Sequence, residues 1–188
     1  MLWLVVIIIL VLIVGTVAFY ISTYNGMVKS RNWADESWSQ IDVQLKRRND
    51  LIPNLLSTVK GYAKYEQETF TKVVEMRNQL LEMPSDDRQA TMAVSNQLSE
   101  SLKSILSLTE SYPDLKANAE YMKLMEELTN TENKIAYARQ LFNSSATRFN
   151  NKIETFPGNI IAEAHNFQKT AYLATPEVEK EVPKVSFD

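Results

Sequence analysis

Residues 1–28, MLWLVVIIILVLIVGTVAFYISTYNGMV, carry no charged side chain, and the run from Leu2 to Phe19 is almost wholly aliphatic. A helix rises about 1.5 Å per residue and the hydrocarbon slab of a bilayer is roughly 30 Å thick, so Met1 to about Tyr20 is long enough to cross once. Trp3 lies near one end, and Phe19, Tyr20 and Tyr24 near the other, where aromatic side chains favour the headgroup level. A cleaved signal peptide has a basic start, a shorter apolar core and a small-residue cleavage site. This segment has an uncharged start and a longer core, so it is expected to stay attached. The chain has no cysteine, which leaves neither a lipid-modified thiol nor a disulfide to hold it. Gly15 has no small partner four residues away and reads as a tolerated glycine rather than a dimerisation motif. Lys29 and Arg31 follow the segment, whereas its other flank offers only the α-amino group; this predicts an N-terminus outside the cell and a cytoplasmic body.

The remainder is mildly acidic, with a net charge of -3 and a pI near 5.4 for the whole chain. Binding nucleic acid would require a strongly basic face, and the one dense basic run, Lys46, Arg47 and Arg48, is short. On a straight helix Lys46 would stand about 38 Å beyond the membrane, far outside a Debye length of roughly 8 Å, so anionic lipid is not its partner. Lys46 and Arg47 therefore read as a solvated face.

Four glycines and six prolines punctuate 188 residues, a pattern that suits long helices. Trp38, Ile41, Leu45, Ile52, Leu55, Val59, Tyr62, Val73, Met76 and Leu80 recur at alternating three and four, and the same frame admits Arg48, Glu66 and Thr69. A second stripe runs through Tyr121, Met125, Leu128, Ile135, Phe142, Ala146, Phe149, Ile153 and Phe156, with Glu132 and Arg139 inside it. Between them Ser85 is a candidate cap, Asp86 and Asp87 suit a helix N-terminus, and Leu98, Leu102 and Ile105, backed by Leu106, mark a shorter helix ending before Tyr112 and Pro113. Asn118 is a candidate cap for the helix after that. Pro53 removes a backbone donor, yet the heptad frame passes through it without slipping, so a kink or a break is expected there. Phe156, Pro157, Gly158 and Asn159 stop the last long helix, and residues 160–172 should pack back on the bundle. The expected fold is all-α: a transmembrane helix over residues 1–24, an antiparallel bundle of three to four helices over 25–175, and a disordered tail over 176–188, whose Pro, Glu, Lys and Val cannot bury enough to order themselves.

Hydrolytic triads and zinc sites draw on His and Cys, and this chain has a single histidine, His165, which reads as a surface or half-packed residue. No glycine-rich phosphate loop or dinucleotide fingerprint occurs. Glu126 and Glu127 are adjacent and point to different faces of a helix, and no Glu and His stand three apart to hold a bridged metal pair. Asn143, Ser144 and Ser145 match a glycosylation sequon that falls in mid-helix. No catalytic, cofactor-binding or metal-ligating residue is therefore expected. The informative polar residues are Arg48, Glu66, Glu132 and Arg139, whose opposite charges on apolar stripes suit buried pairs that fix helix register, or else a polar groove that receives a partner.

The stretch from Trp38 through Arg48, then Asp50, Leu51, Ile52, Pro53, Asn54 and Leu55, and on through Val59, Lys60, Gly61, Tyr62 and Ala63, resembles the signature of the LemA family. Residues 112–118, Thr131 to Ala136 with Ala138, Arg139 and Asn143, and Phe156, Pro157, Asn159, Ile160 and Ala162 are similar to two further blocks of that family. Tyr65 stands where a histidine is common, and Phe142 replaces a tyrosine. The resemblance implies one N-terminal transmembrane helix, a short outer N-terminus and a helical bundle; it implies no activity and carries over no catalytic residue. The functional expectation is a non-enzymatic, membrane-anchored scaffold or interaction module of a bacterial envelope. It needs no cofactor, takes unidentified protein partners or a second copy of itself, and uses Arg47, Asn49, Asp50 and Asn54 beside Pro53 as an exposed surface. The alternative is a sensor that relays a bound signal to its membrane helix.

Overall fold

The structure, a computed structural model, describes residues 1–62, 67–84, 87–109 and 111–174. Among them every regular element is helical: α1 (Leu2–Lys60), α2 (Gln67–Glu82), α3 (Arg88–Thr109), α4 (Pro113–Lys116), α5 (Ala119–Glu154) and α6 (Gly158–Ala164). The expected cap Ser85, Asp86, the register candidate Glu66, Tyr65 and the tail lie outside the described residues. The described residues divide into two compact units, one of Met1–Ser39 with Gln140–Tyr172 and one built on Gln40–Arg139.

In the first unit α1 begins with side chains that no other described residue covers. Each residue from Leu2 to Val14 is at least 50% exposed. A helix apolar all round is stable only inside a large core or in lipid, and among the described residues no core surrounds it. Among the described residues it is the one helix long and apolar enough to cross a membrane. Farther along, α1 pairs antiparallel with α5: Lys152 Nζ donates to the Gly26 carbonyl at 3.0 Å, Ser37 Oγ lies 3.2 Å from Ser145 Oγ, and Trp38 meets Phe142 edge-on with ring centroids 6.1 Å apart. Met27, Phe149, Ile153, Ile161 and Ala162 form the core of this unit, with Tyr24 and Phe167 packed against it.

The segment after α5 is helical only as far as Ala164. Asn166 adopts the left-handed conformation, φ 54°. Phe167 N–H reaches back to the Ala162 carbonyl at 3.0 Å and Asn166 N–H to that of Glu163 at 3.1 Å, the paired bonds that close a helix around a left-handed residue. The chain then runs extended along α5. Buried Asn150 holds it by accepting from Thr170 N–H and donating to the Thr170 carbonyl, both at 2.9 Å, as a neighbouring strand would.

In the second unit α1, α2, α3 and α5 enclose Ile52, Leu55, Leu56, Val59, Phe70, Val73, Leu98, Ile105, Leu115, Tyr121 and Leu128. Each fully buried Leu or Ile is worth roughly 1.5–3 kcal/mol, so this core outweighs exposed ion pairs worth about 0–1 kcal/mol each. Two helix starts carry side-chain caps: Asp87 Oδ1 accepts from Ala90 N–H at 3.0 Å for α3, and Asn118 Oδ1 from Tyr121 N–H at 2.9 Å for α5.

α1 runs unbroken through Pro53 and ends instead at Lys60. The stripe expected to continue from Trp38 to Leu80 therefore belongs to two helices, and Tyr62, expected on it, is 38% exposed in the turn after α1. The helix survives Pro53 because its damage is repaired from outside. Proline has no N–H for the carbonyl four residues back, which is that of Asn49. Arg77 of α2 donates its Nε to this carbonyl at 3.0 Å.

Candidate functional site

Arg48 sits on the buried face of α1 and is 1% exposed. A guanidinium carries five donors and always keeps its charge in proteins, so it must find acceptors there. Nη1 donates to Ser99 Oγ at 2.8 Å and to Glu132 Oε2 at 2.9 Å. Nη2 donates to Ser95 Oγ at 2.8 Å and to the Ser95 carbonyl at 3.2 Å. Ser99 Oγ in turn donates to Glu132 Oε1 at 2.8 Å. One guanidinium thus ties together α1, α3 and α5. Burial lowers its pKa, while the charge of Glu132 and the hydrogen bond to it pull the other way. The network is incomplete: Arg48 Nε is buried without a hydrogen-bond partner.

The pair is asymmetric, since the Glu132 side chain is 45% exposed. Beside it opens a cleft of about 200 Å³ in this unit. Leu55, Leu102, Leu106, Met125 and Leu128 supply apolar walls, and Arg48, Ser99, Glu132 and exposed Lys103 supply polar groups. An apolar cavity of about 150 Å³ holds a benzene-sized molecule, so this cleft suits a small ligand rather than a peptide.

The remaining sequence candidates do not converge on this place. Arg139 is buried on α5. Arg47 pairs with Glu127 at 2.6 Å, with both side chains more than a third exposed. Asp50 and Asn54 are exposed, but Asn49 is 4% exposed and points inward, its Oδ1 buried without a partner. Arg47, Asp50 and Asn54 are thus the surface members of that group, and Asn49 belongs to the interior. Ser95 and Ser99 join the site without standing among the sequence candidates; the signal for them is their four-residue spacing beside Leu98 and Leu102, which places both hydroxyls on the inward side of α3. Arg77 carried no signal, because its acceptor is a backbone carbonyl. Among the described residues no three His, Asp or Glu side chains converge to hold a metal ion.

Residues 37–187 match the model of the LemA family. The chain is 28% identical to the protein LemA of Metamycoplasma hominis over 90% of its own length and 78% of that protein. It is 21% identical to the magnetosome protein MamQ of Magnetospirillum gryphiswaldense and to the magnetosome protein MamQ 2 of Paramagnetospirillum magneticum, in each case over 85% of this chain and 68% of the relative. With the match covering most of the sequence, including Arg48, Pro53, Arg77 and Glu132, the chain belongs to the LemA family.

Proposed function

We propose that this protein is a membrane-tethered helical interaction module of the bacterial envelope, with residues 1–24 as its span, residues 25–175 as a cytoplasmic body and no enzymatic activity. The observation that carries the reading is the continuity of α1 from Leu2 to Lys60. The apolar segment is the first third of a helix whose later part is core, so removing it would cut through a folded element. Tyr24, the last residue of the span, and Met27, three residues beyond it, already pack in the core of their unit. Lys29 and Arg31 support the cytoplasmic placement. Arg48 and Glu132, with Arg139, serve as register residues in this reading, and exposed Arg47, Asp50 and Asn54 remain candidate contacts.

Crosslinking in living cells from the body surface, followed by mass spectrometry, tests the module. Capture of specific proteins or of a second copy is expected; recovery of lipid adducts alone contradicts it. Compartment is tested with Ser144→Cys in this cysteine-free chain: a membrane-impermeant maleimide leaves it unlabelled in intact cells and labels it after lysis. Labelling in intact cells would reverse the orientation.

A second reading, a sensor, is favoured by the cleft beside Arg48. It requires a small ligand that raises the thermal midpoint of the protein in proportion to the logarithm of its concentration above Kd. A library of small amphiphiles without effect would leave the scaffold reading alone.

A further inference from the structure

The corner between α5 and α6 exposes apolar side chains where the rest of its surface is polar. Phe156 is 79% exposed and Ile160 is 59% exposed, while the neighbouring Ile161 and Ala162 are buried. Scattered single apolar side chains need no explanation, but these two are four residues apart, and Ile160 belongs to a segment whose height along α1 is fixed by its contacts. Tyr20 Oη lies 2.7 Å from His165 Nε2, and the Tyr24 ring lies 4.6 Å from that of His165. At the other end of α6, Gly158 abuts Met27 and the backbone carbonyl of Lys152. The segment from Gly158 to His165 therefore lies alongside Tyr20 to Met27 of α1. Those seven steps of helix span about 10 Å, starting where a twenty-residue hydrocarbon crossing ends. A headgroup layer is about 5–7 Å deep, and apolar faces of surface-lying helices sink about 5–10 Å into it.

We propose that this corner is a second membrane contact, in which Phe156 and Ile160 enter the headgroup and acyl boundary of the leaflet from which α1 emerges. The inference rests on the anchoring of α1 and adds a lipid-binding surface to it. Its occupant is the bilayer, because the patch is continuous with the span, and because Tyr20, Tyr24 and His165 form the aromatic, hydrogen-bonded rim favoured at an interface. Lys152, whose ammonium is held at Gly26, six helical steps or about 9 Å past Tyr20, stands just outside that layer, within a Debye length of anionic headgroups. Such a contact would fix how α1 leaves the membrane, since α6 is packed on the first turns after it.

The chain has no cysteine, so single spin labels report directly. Four variants of the full-length protein, Phe156→Cys, Ile160→Cys, Val11→Cys and Ser144→Cys, are labelled and reconstituted in vesicles of phosphatidylcholine and phosphatidylglycerol. Collision with dissolved oxygen relative to a water-soluble nickel complex gives depth. All four positions are exposed or lipid-facing, and none disturbs the core. The ratio is expected to be highest at Val11, at the water level for Ser144, and several-fold above Ser144 at positions 156 and 160. If positions 156 and 160 match Ser144 while Val11 reads hydrocarbon, the second contact is wrong and the anchor stands. If Val11 also reads water, the anchor fails with it. Spin–spin broadening at 156 and 160 that disappears on dilution with unlabelled protein would assign the patch to a second copy and overturn the proposal.

Discussion

Arg48 is 1% exposed and its partner Glu132 is 45% exposed, so the two ends of this ion pair do not carry equal cost. Removing the carboxylate leaves a buried cation with only serine oxygens, a change of the kind that costs about 3–5 kcal/mol. Removing the cation leaves a carboxylate that water can reach. Glu132→Ala is therefore expected to destabilise the protein by about 3–5 kcal/mol, and Arg48→Met by less than about 2 kcal/mol, measured by denaturant unfolding in micelles. Equal losses would show that the pair contributes through packing rather than charge. At Asn150 both bonds run to the backbone of Thr170, and the Tyr172 phenol is held below its ordinary value near 10 by hydrogen bonds from Asn150 and, less strongly, Thr147. A depressed phenol pKa favours the phenolate in the folded state. This contribution is present above the unfolded value and is lost as pH falls through the folded one. Asn150→Ala should raise the titration midpoint of one tyrosine in the ultraviolet difference spectrum and speed hydrogen exchange at Thr170. An unchanged tyrosine titration would separate Tyr172 from Asn150.

Among the elements, α1 depends on a neighbour at its weakest point. Arg77 supplies the donor that Pro53 withholds from the Asn49 carbonyl. A charged hydrogen bond of this kind is worth about 1.5–3 kcal/mol, whereas with an ordinary residue at position 53 the carbonyl already has its helical partner. A double-mutant cycle should show this coupling: Arg77→Met is expected to cost about 1.5–3 kcal/mol in the native background and about 0–1 kcal/mol in Pro53→Ala. Equal costs in both backgrounds would make Arg77 an ordinary surface residue. At the other corner, a Cβ on Gly158 would stand 2.4 Å from the Lys152 carbonyl oxygen, which is backbone and cannot swing away. Gly158→Ala should cost about 1–3 kcal/mol and loosen α6, as read by exchange at its amides.

Much of this element layout was legible beforehand. Trp38, Ile41, Leu45, Ile52, Leu55 and Val59 are buried as their spacing demands, and so are Leu128, Ile135, Phe142 and Phe149. The end of α1 at Lys60 was not legible, because the apolar stripe resumes in the same frame after the turn; periodicity reports which face is apolar, not whether the backbone continues. The charges of Arg48 and Glu132 were readable as complementary, but their pairing depends on the register between α1 and α5, which spacing within one helix does not contain. Asn166 gave no signal as a helix stop, since a left-handed asparagine looks like any polar residue in sequence. Asn49 reads as exposed from its place between Arg47 and Asp50, but on a helix it lies about 200° from Arg47 and about 100° from Asp50, on the side of buried Leu45, Arg48 and Ile52.

At the scale of the whole molecule, the central claim is that the apolar head and the start of the packed body are one helix, so that the anchor cannot be shed without cutting α1. Tyr20, Tyr24, Gly26 and Met27 all meet residues of α5, α6 or the segment that follows, which leaves no loose linker where a cleavage would be harmless. The most direct measurement is the intact mass of the protein recovered from cell membranes after an alkaline carbonate wash. The account predicts that the protein remaining in the washed membrane retains residues 1–20 joined to the packed body. A species that begins beyond residue 20 and is released into the wash would contradict it.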